Sequence, residues 1–160
     1  MDRRQFLGAS AALALIAGTG TALADSRNNV CAQIVATWYK LTLELVRHTP
    51  TYTPPVASRA LAYIGIGAYE ALASATPDQF KSLAGQLTGL AALPVRAAGQ
   101  DYDSAVALNT VLDLLVHDLF ANTGPTGQHA MKTLSARLAA QAATDVAQPV
   151  VVASKSYGTE

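Results

Sequence analysis

The sequence contains few charged residues, few aromatic residues and a single cysteine. Asp, Glu, Lys and Arg make up 14% of its 160 residues, aromatic residues make up 6%, and Cys31 is the one cysteine. One thiol cannot form an internal disulfide, which excludes a disulfide-stabilised fold. The 11 basic residues balance the 11 acidic ones, so no basic excess points to nucleic acid as a partner. A chain with so little charge must bury much of its surface or pack against something else.

The motifs of common enzyme and metal sites are also missing. The sequence has no HExxH, no pair of cysteines, no G-x-S-x-G and no phosphate-binding glycine loop between a strand and a helix. Its three histidines do not stand in a metal-binding pattern: they are His48, His117 and His129. We therefore predict no catalytic, cofactor-binding or metal-binding residues in this chain.

One pair of residues keeps an enzymatic alternative open. Asp113 and His117 are four residues apart on a predicted helix, so their side chains face the same way. They can serve as an acid–base pair or as two metal ligands, or they can form a solvated ion pair, which is the interpretation we favour. A small hydrolase with an unrecognised site would depend on these two residues.

The start of the sequence has the pattern of an export signal. Arg3 and Arg4 precede an apolar run, and Ala22 and Ala24 form a small-x-small cleavage site. Paired arginines ahead of such a run are typical of the twin-arginine route, which exports folded proteins. We predict a signal peptide over 1–24, the twin-arginine export machinery as a partner, and a periplasmic or secreted product without a membrane segment after cleavage.

The rest of the chain, 25–160, is predicted to form a single helical domain. Apolar residues recur at three- and four-residue spacing, which predicts an all-α bundle of about four main helices. These helices are expected at about 30–48, 55–75, 105–119 and 125–147.

Shorter elements are expected between and after these helices. Thr76 is placed to cap a short helix from Pro77 to Leu83 or Gly85. Pro149 is expected to stop the last main helix, and the residues after it form either a strand-like tail or the start of a further helix.

The second predicted helix is nearly apolar on all sides between Ala60 and Ala68, which predicts a central position in the bundle. Two glycines lie inside it, at positions where glycine usually admits a neighbouring backbone. We expect its polar residues to pair across helices, with the lining of a site as the alternative: they are Arg59, Tyr63 and Glu70. On the first helix, the charged residues are expected to form its solvated side: Lys40, Glu44 and His48.

Two segments carry a family pattern. One runs from Trp38 to Arg47; after a proline-rich link, the other begins Pro55-Val-Ala-Ser-Arg-Ala-Leu-Ala and ends Ala-Tyr-Glu70-Ala. Together they resemble the N-terminal helices of bacterial vanadium-dependent haloperoxidases, which are relatives of the type 2 phosphatidic acid phosphatases. Ser154 to Gly158 is similar to the start of the next helix of that family. The resemblance implies the N-terminal part of the vanadium haloperoxidase fold.

The catalytic motifs of that family do not occur in the 160 residues. Its members hold vanadate or phosphate with a K-x6-R-P segment, a Pro-Ser-Gly-His segment and an S-R-x5-H-x3-D segment, and no histidine of this chain matches them. The resemblance therefore implies a chain without its own cofactor, vanadate being the group that the family binds.

These observations lead to one functional expectation and one alternative. The chain is expected to be an exported scaffold segment of a haloperoxidase or acid-phosphatase-like protein, truncated before the active-site helices and inactive alone. Its expected partner is the missing C-terminal catalytic segment or a second copy of the chain. The alternative is a non-catalytic helical module of the periplasm that binds a partner or oligomerises.

Overall fold

The computed structural model of the chain consists of α-helices joined by turns and loops. The structure describes the backbone of residues 3–90 and 92–160, and the side chains of residues 26–90 and 92–160. Five helices lie in this part of the chain: α1 (Arg3–His48), α2 (Pro54–Ala73), α3 (Ser104–Leu119), α4 (Pro125–Ala142) and α5 (Gln148–Thr159). The predicted all-α class is confirmed, with five helices in place of about four.

The central helix of the bundle is α3. Helices α1, α2, α4 and α5 all pack against it, and seven of its sixteen residues are buried. Its apolar stripe meets the stripes of α1 and α4 in one core, whose largest enclosed side chains include Trp38, Phe120, Leu112 and Met131. The helix predicted over 105–119 is therefore confirmed, and the apolar residues of its inner side face the core.

The prediction that the second helix is central was wrong. Helix α2 buries one side, chiefly Ala60, Ile64 and Ala68, and packs mainly on α3. Its other side is exposed: half of the Tyr63 side chain and 44% of Val56 remain accessible. An apolar composition all round a helix indicates burial only when enough neighbours surround it, and α2 has neighbours on one side.

The two glycines of α2 accommodate side chains rather than a backbone. A Cβ on Gly67 would lie 2.4 Å from Cδ1 of Leu115 and 3.0 Å from Cγ1 of Val111, both on α3. A Cβ on Gly65 would lie 3.3 Å from the hydroxyl of Tyr39 on α1. The close backbone approach is found elsewhere, at Gly158 of α5, where a Cβ would lie 2.9 Å from a backbone carbonyl oxygen of α3.

Several predicted helix ends were misplaced. The helix expected from Pro77 is a series of turns, in which the carbonyl of Thr76 accepts from the amides of Gln79 and Phe80. The helix expected to reach residue 147 ends at Ala142. Pro149 does not stop a helix but lies in the first turn of α5, where its fixed φ and missing amide hydrogen cost nothing.

Buried polar residues fix the helices relative to one another. The indole Nε1 of Trp38 on α1 donates to Oδ1 of Asn109 on α3 at 3.0 Å, and both residues are buried. The ring of Tyr52 stacks on Phe120 at 4.2 Å between centroids, and its hydroxyl donates to the carbonyl of Leu119. Burial raises the pKa of the Tyr52 phenol. Such partners remove the cost of burying polar atoms.

No helix among the described residues is long and apolar enough to cross a membrane. The predicted signal peptide lies in the N-terminal part of α1. Of its residues, Met1 and Asp2 lie outside the described chain, and the side chains of Arg3, Arg4, Ala22 and Ala24 lie outside the described side chains.

Candidate functional site

The pair predicted as a possible acid–base site lies at the junction of α3 and α4. Nε2 of His117 lies 3.3 Å from Oδ1 of Asp113, and the hydroxyl of Ser135 on α4 donates to the other carboxylate oxygen at 2.9 Å. About one third of each α3 side chain is exposed. The predicted side-by-side placement of Asp113 and His117 on one face of the helix is confirmed.

The order of Ser135, Asp113 and His117 differs from that of a serine catalytic triad. A serine nucleophile needs a histidine in hydrogen-bond reach of its hydroxyl, with the carboxylate behind the imidazole. Here the carboxylate of Asp113 lies between Ser135 and His117, and the hydroxyl of Ser135 donates a hydrogen bond to that carboxylate. The group therefore joins α3 to α4, and its geometry does not activate the hydroxyl.

Lys40, Glu44 and His48 lie on the solvated side of α1, as predicted. Glu44 accepts from Arg47 at 2.8 Å and lies 3.8 Å from Nε2 of His48, rather than pairing with Lys40. All of these side chains are exposed. The remaining histidine, His129, is exposed on α4.

A polar cluster at the other end of the bundle joins four helices. Arg27 on α1 pairs with Asp103 and donates to the carbonyl of Ala142 on α4 at 2.9 Å. Asp103 also caps α3 by accepting from the amide of Val106, and its own amide donates to Ser154 on α5. Arg27 lies 76 residues from Asp103 in the sequence, and no local signal predicts this pair.

Cys31 lies one turn beyond Arg27 on α1 and is 7% exposed. Burial raises the pKa of its thiol, and the negative charge of Asp103 raises it further, while Arg27 acts in the opposite direction. A neutral, buried thiol is a poor nucleophile and metal ligand. Cys31 therefore packs in the core as a small apolar side chain.

Arg96 holds the long connection between α2 and α3. Its guanidinium lies 5.5 Å from the ring centre of Tyr102 and 5.3 Å from that of Tyr157. It also donates to the hydroxyl of Ser74 at 3.1 Å and to the carbonyl of Ala71. These contacts attach the connection to the ends of α2 and α5.

The polar residues of α2 do not form the expected pairs between helices. Arg59 is exposed, while Glu70 accepts from the backbone amide of Leu83 in the following connection at 2.5 Å. Both lie on the outer side of α2, together with exposed apolar groups. We call this surface the α2 stripe, defined by its residues Val56, Arg59, Ala62, Tyr63, Ile66 and Glu70.

Two of the grooves on the described surface contain charged residues discussed above. One, of about 420 Å³, lies at the start of α4 and contains Glu44 and His48. The other, of about 560 Å³, contains Arg27 with Asp103 and Asp145. No group of three or more metal-ligating side chains occurs among the described residues.

Comparison with solved structures shows a likeness to a known fold. The fold is similar to the crystal structure of "the first bacterial vanadium dependant iodoperoxidase", with a TM-score of 0.66 and 28% sequence identity over 79% of this chain. The chain spans 29% of the length of that iodoperoxidase. No protein-family model and no curated protein sequence matches the chain. The predicted resemblance to the vanadium haloperoxidase fold is thereby confirmed.

Neither of these two grooves has the several converging cations with which proteins hold an oxyanion such as vanadate. An oxyanion is held by several converging cations and backbone amides, but each groove offers one basic side chain beside at least one carboxylate. Arg27 is already paired with Asp103 and hydrogen bonded to a carbonyl. These grooves therefore do not fit vanadate.

Proposed function

We propose that this chain is an exported helical scaffold segment of a vanadium-dependent haloperoxidase or acid-phosphatase-like protein and has no catalytic activity alone. The observation that carries the proposal is the fold likeness to a bacterial vanadium iodoperoxidase, of whose length the chain spans 29%. The partner of this chain would be a catalytic segment that supplies the oxyanion-binding lysine, arginine and histidine residues.

The use of the polar side chains supports a scaffold role. Arg27, Asp103 and Arg96 connect helices and loops, and Asp113 links α3 to α4. These contacts give each of the four side chains a role in holding the helices and loops together. The sequence also lacks the Pro-Ser-Gly-His segment and the other catalytic motifs of the resembled family.

An activity assay tests this proposal. The purified full chain is incubated with vanadate, hydrogen peroxide and either iodide or bromide, and separately with a phosphate monoester. We expect no turnover above the protein-free reaction in any assay. Vanadate-dependent halide oxidation, or phosphate release that survives repeated purification, would contradict the proposal. Should hydrolysis be found, the double variant Asp113→Ala/His117→Ala decides whether that pair performs it.

Export through the twin-arginine route is the second part of the proposal. It is supported by Arg3 and Arg4 ahead of an apolar run and by the Ala22-x-Ala24 cleavage pattern. The test compares the periplasmic fraction of the natural chain with that of Arg3→Lys/Arg4→Lys in a bacterial host. We expect loss of the periplasmic form and retention of the unprocessed chain in the cytoplasm. Equal export of both chains would exclude the twin-arginine route.

A second candidate function is a non-catalytic helical module that binds a partner or oligomerises. The exposed α2 stripe favours it, since apolar and aromatic side chains on an outer helix face are typical of contact surfaces. This candidate shares the prediction of no turnover, and it differs by requiring no catalytic segment of the same protein.

A further inference from the structure

We propose that the α2 stripe is a self-association surface, on which two copies of the chain pair their α2 helices in antiparallel orientation. The inference names a partner and a contact geometry for the second candidate function, and it does not depend on the proposed scaffold role. A chain without catalytic activity and a chain with it could both dimerise in this way, so the two proposals fail separately.

The surface itself is the first argument. Tyr63 is 50% exposed and Val56 is 44% exposed, and they lie on the side of α2 opposite to its buried residues. Ala62 is exposed and Ile66 is partly exposed between them. The buried face of α2, on the other side of the helix, packs on α3. A helix face of this composition loses unfavourable contact with water when a second apolar face covers it.

The order of residues along the stripe identifies the partner as a second copy. Arg59 and Glu70 lie three helical turns apart on the same face. In an antiparallel pair whose two-fold axis passes midway between them, Arg59 of each copy faces Glu70 of the other. The same axis places Tyr63 opposite Ile66 of the second copy. A two-fold interface needs this self-complementarity, and a single register satisfies both pairings.

The carboxylate of Glu70 has capacity for this contact. One of its oxygens accepts from the amide of Leu83, and an ionised carboxylate has about four acceptor positions. Its second oxygen can therefore accept from a guanidinium across the interface. Arg59 is exposed and available as the donor. Opposite charges at the two ends of an apolar centre also specify the register and oppose a parallel arrangement.

The interface is small, since it consists of one helix face on each side, so we expect a dimer that dissociates on dilution. Sedimentation of the purified full chain over a wide concentration range measures it. Arg59→Glu should raise the dissociation constant about tenfold or more, because it places two carboxylates opposite each other at both ends. The double variant Arg59→Glu/Glu70→Arg should restore the dimer by reversing both charges.

Cysteine cross-linking gives an independent readout of the same register. Tyr63→Cys places a thiol close to the axis, and a short bismaleimide should link two copies of this variant. Val152→Cys, on the exposed side of α5, is the matched control and should not link. The natural chain controls for Cys31, which is buried.

The outcomes decide the proposal. A concentration-dependent dimer that Arg59→Glu weakens and that Tyr63→Cys traps supports it. A monomer at all concentrations overturns it, as does association that Arg59→Glu leaves unchanged. Cross-linking of Tyr63→Cys no greater than that of Val152→Cys also overturns it, even where the double variant fails to fold.

Discussion

Helices α2 and α3 are both rich in apolar residues, but the structure encloses one and leaves the other half exposed. Helix α3 has neighbours on nearly all sides, and its buried polar residue Asn109 has a specific partner on α1. Helix α2 rests on α3 with one face and presents Val56 and Tyr63 on the other. The difference shows that apolar composition alone does not determine how deeply a helix is buried. The number of helices packed around it also matters.

The largest contrast should come from core and surface leucines of α3 itself. Leu112 is 0% exposed and Leu114 is 49% exposed. We expect Leu112→Ala to lower the free energy of unfolding by about 2–5 kcal/mol, because it removes buried contacts and leaves a cavity. Leu114→Ala, with the same chemical change, should lower it by less than about 1 kcal/mol. Urea unfolding of both variants measures the difference, and equal losses would contradict the assigned core.

The glycines of α5 and α2 give the next contrast. A Cβ at Gly158 would collide with the backbone carbonyl of Ala107, whereas a Cβ at Gly67 would collide with the flexible end of Leu115. We expect Gly158→Ala to destabilise by about 1–3 kcal/mol, because backbone cannot move aside. Gly67→Ala should cost less, since the leucine can turn away and alanine favours the helix by about 1 kcal/mol. Thermal unfolding of the pair provides the test, and a larger loss for Gly67→Ala would reverse the comparison.

The polar cluster around Arg27 should contribute more than the surface charges of α1. Asp103→Ala removes the cap of α3 and the partner of Arg27 together, so we expect a loss of about 1–3 kcal/mol. Glu44→Ala removes an exposed pair with Arg47 and should cost less than about 0.5 kcal/mol. Chemical denaturation compares the two variants. Similar effects would show that the cluster is no stronger than a surface pair.

The smallest expected effect concerns the buried thiol of Cys31. Its pKa is raised above the ordinary 9.0 by burial and then by Asp103, so the thiol ionises more readily in the unfolded chain. The contribution of Cys31 to the free energy of unfolding is therefore fully present below about pH 9, and it falls as the pH rises further. Cys31→Ala should remove this part of the decline above about pH 9. A decline of equal steepness in both chains would contradict this assignment.

The sequence predicted the helical class and the inner stripe of α3 because both depend on local periodicity and capping. The end of α1 at His48 and the start of α4 at Pro125 were predicted correctly for the same reason. The proline and glycine residues near these ends act on their own segment. Local signals of this kind do not depend on the rest of the fold.

The errors occurred where position depends on contacts between distant segments. The exposed side of α2 could not be predicted, because its sequence does not state how many helices surround it. Similarly, nothing local connects Arg27 with Asp103, or Ser135 with Asp113. Pro149 was misassigned because proline both ends one helix and begins the next.

The central claim is that the polar side chains of this chain maintain its fold and do not hold an oxyanion. A calorimetric titration of the purified full chain with vanadate tests it most directly, with phosphate as the second titrant. We predict no saturable heat with either anion at concentrations up to the millimolar range. Saturable binding of vanadate with one site per chain, weakened by phosphate, would contradict the account.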